Sequence, residues 1–137
     1  MKPETSDYGV ALLRVTMGGL VPAHGLIKLL VFTPAGTAQF FASLGLPAIA
    51  AYLTIFVEVA GGLVLIAGVL TRVVSLVLAV VMVGTIVTVH GAKGFMFSVP
   101  GGGWEYPAFW AVALVAQALM GPGAFALRPV RPQAVVV

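Results

Sequence analysis

His24, Glu58 and His90 are the residues of this chain best equipped for chemistry, because each is an ionisable side chain set within or at the end of an apolar run. A charge-capable group at membrane depth costs at least ~2.5–3.5 kcal/mol, so it normally faces a bundle interior, finds a partner and marks function. Imidazole and carboxylate together exchange protons near neutrality, which suits chemistry in which electrons and protons move together. Lys28 follows the first histidine and Lys93 the second, each about one helical turn on, where an ammonium would set the local field.

The elements that must carry these groups are transmembrane. Hydrophobic residues make up 61% of the chain and charged ones 8%, with a mean hydropathy of +1.13, against roughly 25% charged residues in an average soluble domain. Apolar runs from Tyr8 to Phe32, Ala48 to Leu70, Val73 to Val89 and Tyr106 to Leu119 approach or exceed the ~20 residues that span a ~30 Å hydrocarbon core. The expectation is an all-α integral membrane protein, one domain over residues 1–137. It has four transmembrane helices at about 8–32, 48–70, 73–90 and 106–121, and a tail over 122–137. Thr33-Pro34 at one end and Gly45-Leu46-Pro47 at the other bracket a short helix, Ala35 to Leu44, in the first outer loop. Phe40, Phe41 and Leu44 form its apolar edge, which suits a position in the membrane interface.

Basic residues set the orientation. Lys2, Arg72, Arg128 and Arg131 fall on one side with Arg14 near it, so the positive-inside rule puts both termini in the cytoplasm and the two longer loops outside. Glu4, Asp7 and Arg14 spoil a signal peptide, so the first helix is expected to stay. Cysteine is absent, which excludes disulfide exchange and thiolate-held metals or clusters within this chain. No metal site is expected. A sequence pI near 9.7 without aromatic interleaving of a basic patch gives no nucleic-acid partner.

At ~1.5 Å per residue, His24 lies roughly 22 Å along the first helix and Glu58 about 15 Å down the second, both in the outer half of the membrane. His90 ends the third helix on the same side, and Glu105 begins the fourth. Arg14, His24 and Lys28 share one face of the first helix, which should turn inward, with Arg14 snorkelling to the cytoplasmic side. A carboxylate as deep as Glu58 needs a cation from a neighbouring helix or a proton of its own, and His24 is its nearest match in depth. The third loop, Lys93 to Pro107, is unusually apolar and aromatic. It reads either as a lid over the outer mouth or as an interfacial aromatic belt of Trp104, Tyr106 and Trp110. Close helix packing is expected at Gly61 with Gly68 and at Ser75 with Ala79. His24-Gly25-Leu26-Ile27-Lys28 and His90-Gly91-Ala92-Lys93 also echo each other, as in a repeat of two helical hairpins.

Several stretches together resemble the DoxX family of small bacterial inner-membrane proteins. They are Ala23-His24-Gly25-Leu26-Ile27-Lys28-Leu29, Phe40-Phe41-Ala42-Ser43-Leu44-Gly45-Leu46-Pro47, Glu58-Val59-Ala60-Gly61-Gly62, Gly68-Val69-Leu70-Thr71-Arg72, His90 to Phe95, and Trp104-Glu105-Tyr106-Pro107. The match runs from about Leu12 to Leu127. It implies a four-helix protein of the inner membrane. Members are linked to quinone-coupled thiosulfate oxidation, to catechol and quinone stress and to oxidative-stress membrane complexes, but the resemblance brings no catalytic residues with it.

The residues themselves suit a quinone. Such a site needs an apolar slot for ring and tail and a proton-exchanging donor for each carbonyl. His24, His90 and Glu58 are the expected proton-handling groups, with Lys28, Lys93, Trp104, Glu105 and Tyr106 as ligand contacts. Other readings use the same residues: a structural tie between the first two helices, a pair of axial ligands for haem b, a transporter or proton path, or a membrane anchor for a soluble redox partner. Small-residue faces leave a homo-oligomer open.

Overall fold

The computed structural model describes residues 2–127, which are helical and contain no strand. The helices are α1 (Thr5–Leu30), α2 (Thr33–Ser43), α3 (Ala48–Ala67), α4 (Thr71–Thr85) and α5 (Glu105–Met120). A π-helical turn, Ile86–His90, and a short 3-10 turn, Gly91–Lys93, continue α4. Among the described residues three stretches are long and apolar enough to cross a membrane: Thr5–Leu30, Ala48–Ala67 and Thr71–Lys93. At 16 residues, α5 is ~24 Å long, short of the ~30 Å core that a crossing must span.

Small residues decide how α1 meets α3. Gly18, Pro22 and Gly25 recur at helical spacing on one face of α1, and a Cβ at Gly18 would run into the backbone of Ile66 while one at Gly25 would meet Val59 and the Cβ of Glu58. Gly62 receives the Pro22 ring in the same way. Backbones can approach closely only where side chains are missing, so these glycines draw the two helices together and bring Glu58 against α1.

The second pair is α4 with α5, and α3 joins it to the first through α4. Gly61 takes part in that junction, facing Val74 and Leu78. Met17, Val21, Leu65, Leu78, Ala79, Trp110 and Leu114 form one core to which α1, α3, α4 and α5 all contribute. The outside is as apolar as the inside: Phe56, Val80, Phe109 and Leu119 are each about two-thirds exposed or more. Contiguous apolar surface on that scale is what lipid covers and water does not tolerate.

Positions near the other end of the bundle differ from the sequence reading. Arg14 does not snorkel: it is 1% exposed, and its guanidinium donates to the carbonyls of Ile66 (2.9 Å) and Ala124 (2.9 Å). A cation on the orphan carbonyls at a helix C-terminus satisfies acceptors that have no partner within the helix, which is why burial wins over solvation there. Arg72 does the same for α5, donating to Ala118 and Leu119 at 3.1 Å. Gly68 is not a helix-packing position. It caps α3 with φ +72°, a left-handed conformation that a residue without Cβ adopts freely.

Gly121-Pro122-Gly123 does end the last helix, at Met120. The chain beyond it is more than an extension, because Ala124 N–H donates to Asp7 O and Leu127 N–H to Ala67 O. Arg128 and Arg131, with the rest of the expected tail, lie outside the described residues.

Candidate functional site

Glu58 is 2% exposed and lies on the face of α3 that Gly25 admits. Its partner is Lys28, whose Nζ stands 2.7 Å from Oε2 and 3.0 Å from Oε1. His24, the expected partner by depth, does not hold it. The reason is directional: helical side chains lean toward the N-terminus, which in α1 is the direction from Lys28 back toward residue 24. A lysine one turn farther out therefore reaches down to the carboxylate.

His24 faces the opposite pair of helices, its ring edge-on to Trp110 of α5 with centroids 6.5 Å apart. His90 is carried by the π-helical turn, which is closed by the five-residue bond from Gly91 N–H to Ile86 O. Just before and within that turn, Thr85 Oγ1 donates to Met82 O and Thr88 Oγ1 to Gly84 O, both at 2.8 Å. Such side-chain bonds compete with the helical ladder and bend it. Single π-turns inside helices concentrate at functional positions.

The loop from Gly94 to Trp104 is folded onto itself. Gly103 N–H donates to Met96 O, Trp104 N–H to Gly94 O and Glu105 N–H to Phe95 O. Glu105 returns a carboxylate oxygen to Phe97 N–H at 2.9 Å. His90 Nδ1 stands 2.8 Å from Gly102 O. A carbonyl cannot donate, so Nδ1 carries the proton in this bond, and Nε2 is left as an acceptor or, when the ring is protonated, a donor.

These side chains meet around one cleft of about 350 Å³. Among the expected residues, His24, Lys28, Glu58, His90 and Tyr106 line it. Its walls are aromatic: Phe97 packs 4.9 Å from Tyr106, and Tyr106 lies 6.1 Å from Trp110, centroid to centroid. Phe40 and Phe41 of α2 close the side next to Lys28. Lys93, Trp104 and Glu105 stand outside the lining. Lys93 lies along Gly101, Trp104 packs on Phe95 at 5.0 Å, and Glu105 fastens the loop. All three pack within or against the Gly94–Trp104 loop.

Phe97, Trp110, Thr85 and Thr88 also line the cleft, beyond the ligand contacts that the sequence suggests. Phe97 had a signal in the aromatic loop. The threonines had little, since their placement follows from the π-turn. Among the described residues no group of three or more His, Asp or Glu stands close enough to hold a metal ion.

A DoxX family model matches residues 9–91 of the chain. The chain belongs to the DoxX family. It is also 35% identical over 123 residues to "Putative oxidoreductase CatD" of Bacillus subtilis (strain 168), a match covering 90% of this chain and 87% of the relative. No solved structure matches it.

Proposed function

We propose that this protein is a membrane redox component that binds a quinone, or an apolar ring molecule of that kind, in the cleft between α1, α3, α4 and α5. Membership of the DoxX family and the relative's oxidoreductase name support redox-associated work in a membrane. The observation that carries the reading to a ligand is the cleft itself, where a ring-sized space walled by aromatic faces is edged by His24, the Lys28–Glu58 pair, His90 and Tyr106. Mostly apolar walls with a few convergent polar groups are the general form of a small-molecule site.

A bound quinone supplies reversible two-electron, two-proton chemistry, its electrons coming from a redox partner of this protein. The chain supplies the surroundings. Phe97, Tyr106 and Trp110 would wall the quinone, the Tyr106 hydroxyl and Lys28 ammonium would donate to its oxygens, and His90 Nε2 would accept or return a proton while Gly102 O holds the imidazole in place. Glu58 keeps the ammonium of Lys28 at the cleft rather than at the lipid headgroups.

In this reading the cleft lies in the outer half of the bacterial inner membrane, with both termini cytoplasmic. α5 serves as the fourth crossing, its length supplemented by the segments that flank it. α2 lies in the outer interface.

Purified protein tests the reading directly. Solvent extraction followed by mass spectrometry should recover a quinone, and the optical spectrum should contain no Soret band. A Soret band would make His24 and His90 haem ligands and overturn the proposal.

A further inference from the structure

A second cavity of about 370 Å³ adjoins the cleft, lined by Lys28, Phe32, Gly36, Thr37, Phe40 and Phe41. Lys28, Phe40 and Phe41 line both spaces, so only these three side chains stand between the second cavity and the first. Its polar groups are already engaged. The Thr37 hydroxyl is shared between Thr33 O at 2.9 Å and Lys28 O at 3.2 Å, and the Lys28 ammonium is bound to Glu58. What remains is hydrocarbon, and its lip is formed by Phe32 and Phe40, which are 60% and 50% exposed.

We propose that this groove is the exit for the apolar tail of the ligand, a prenyl or alkyl chain whose ring occupies the main cleft. The inference rests on the functional reading above and names the feature of the substrate that it leaves open: a ring bearing a long hydrocarbon chain, entering sideways from the lipid between α1 and α2. At about 350 Å³ the cleft takes a substituted ring, and a chain of many carbons must extend beyond it. The groove joins the ring site to the lipid without passing the chain over any unsatisfied polar side chain. Lipid tails are as apolar as the groove, so the tail gains little free energy by moving from one to the other. The groove therefore admits tailed molecules without binding them more tightly than tailless ones.

Gly36 makes this testable. A Cβ there meets only the Thr33 hydroxyl, at 3.4 Å, so a larger side chain enters open space, and Leu is a better helix former than Gly by roughly 1 kcal/mol. Wild-type protein in lipid nanodiscs should bind tetramethyl-benzoquinone and a decyl-substituted benzoquinone with dissociation constants, expressed per lipid, within about threefold of each other. Gly36→Leu and the bulkier Gly36→Phe should lower affinity for the decyl compound progressively, by about tenfold or more in the second. Both should leave binding of the tetramethyl compound unchanged and the unfolding midpoint no lower than that of wild type. Equal loss for both compounds, or undiminished binding of the decyl compound to Gly36→Phe, overturns the tail route while leaving the ring site intact. Failure of wild type to bind either compound withdraws the ring site and the tail route together.

Discussion

Removing Lys28 should harm this protein more than removing Glu58, although the two form one ion pair. Lys28→Leu strands a carboxylate that is 2% exposed. Loss of one partner of a buried pair costs ~3–5 kcal/mol, and the lower end applies here because the carboxylate can take up a proton. Glu58→Leu strands an ammonium whose side chain is already 23% exposed. Its long stem can carry the charge out to headgroup level, so the expected cost is nearer ~1 kcal/mol. Glu58→Gln keeps the shape and an acceptor for Lys28 and should cost about 1 kcal/mol or less. The double leucine variant leaves no charge unpaired and should fall within ~1 kcal/mol of wild type. Unfolding in mixed detergent micelles, followed by circular dichroism, supplies all four values. The cycle should close with a coupling of about 2 kcal/mol or more. Coupling below ~0.5 kcal/mol, or a larger loss for Glu58→Leu than for Lys28→Leu, would refute both the pairing and the outward reach of Lys28.

The Gly94–Trp104 loop should contact ligand through Phe97 rather than Trp104. Phe97→Ala is expected to weaken binding of a benzoquinone about tenfold, and Trp104→Ala by no more than about threefold, as read by equilibrium titration; the reverse order would put the outer aromatics, not the cleft wall, in contact with ligand. Topology is checked by reporters: one fused after Val137 should be active in the cytoplasm and one inserted near Gly36 should report the periplasm. The opposite pattern would invert the bundle and move the cleft to the cytoplasmic half.

Helix limits were legible where punctuation is strong. Pro47 ahead of α3 and the glycines after α5 put those ends at Ala48 and Met120, as the sequence suggests. The short loop helix runs from Thr33 to Ser43, and the Thr33 hydroxyl accepts from Gly36 N–H, the capping bond that its Thr-Pro signal implies. The end of α4 was not legible. Its last turn widens into a π-turn through threonine side-chain bonds, a local competition that an apolar run does not record.

Distance along a helix axis was enough to bring His24, Glu58 and His90 to one depth, and too coarse to pair them. Side-chain lean, one turn toward the N-terminus, decides that Lys28 and not His24 holds Glu58. Charge was also an incomplete guide for Arg14 and Arg72. Each is basic at the end expected, yet helix-terminal carbonyls bind both, and only the folded chain brings those carbonyls together.

Two tryptophans make the central claim measurable. Trp110 is 8% exposed and lines the cleft, while Trp104 is 38% exposed and does not. Quinones quench tryptophan emission on contact, so each indole reports on its own surroundings. Trp104→Phe, which leaves Trp110 as the chain's single tryptophan, should be quenched saturably as a tetramethyl-benzoquinone titration proceeds, with a non-quenching, redox-inert ring competitor restoring emission. Trp110→Phe should show only a shallow, non-saturating decline. Linear quenching of equal slope in both variants would mean collisions from the lipid and no bound ring, and would contradict a quinone site in this cleft.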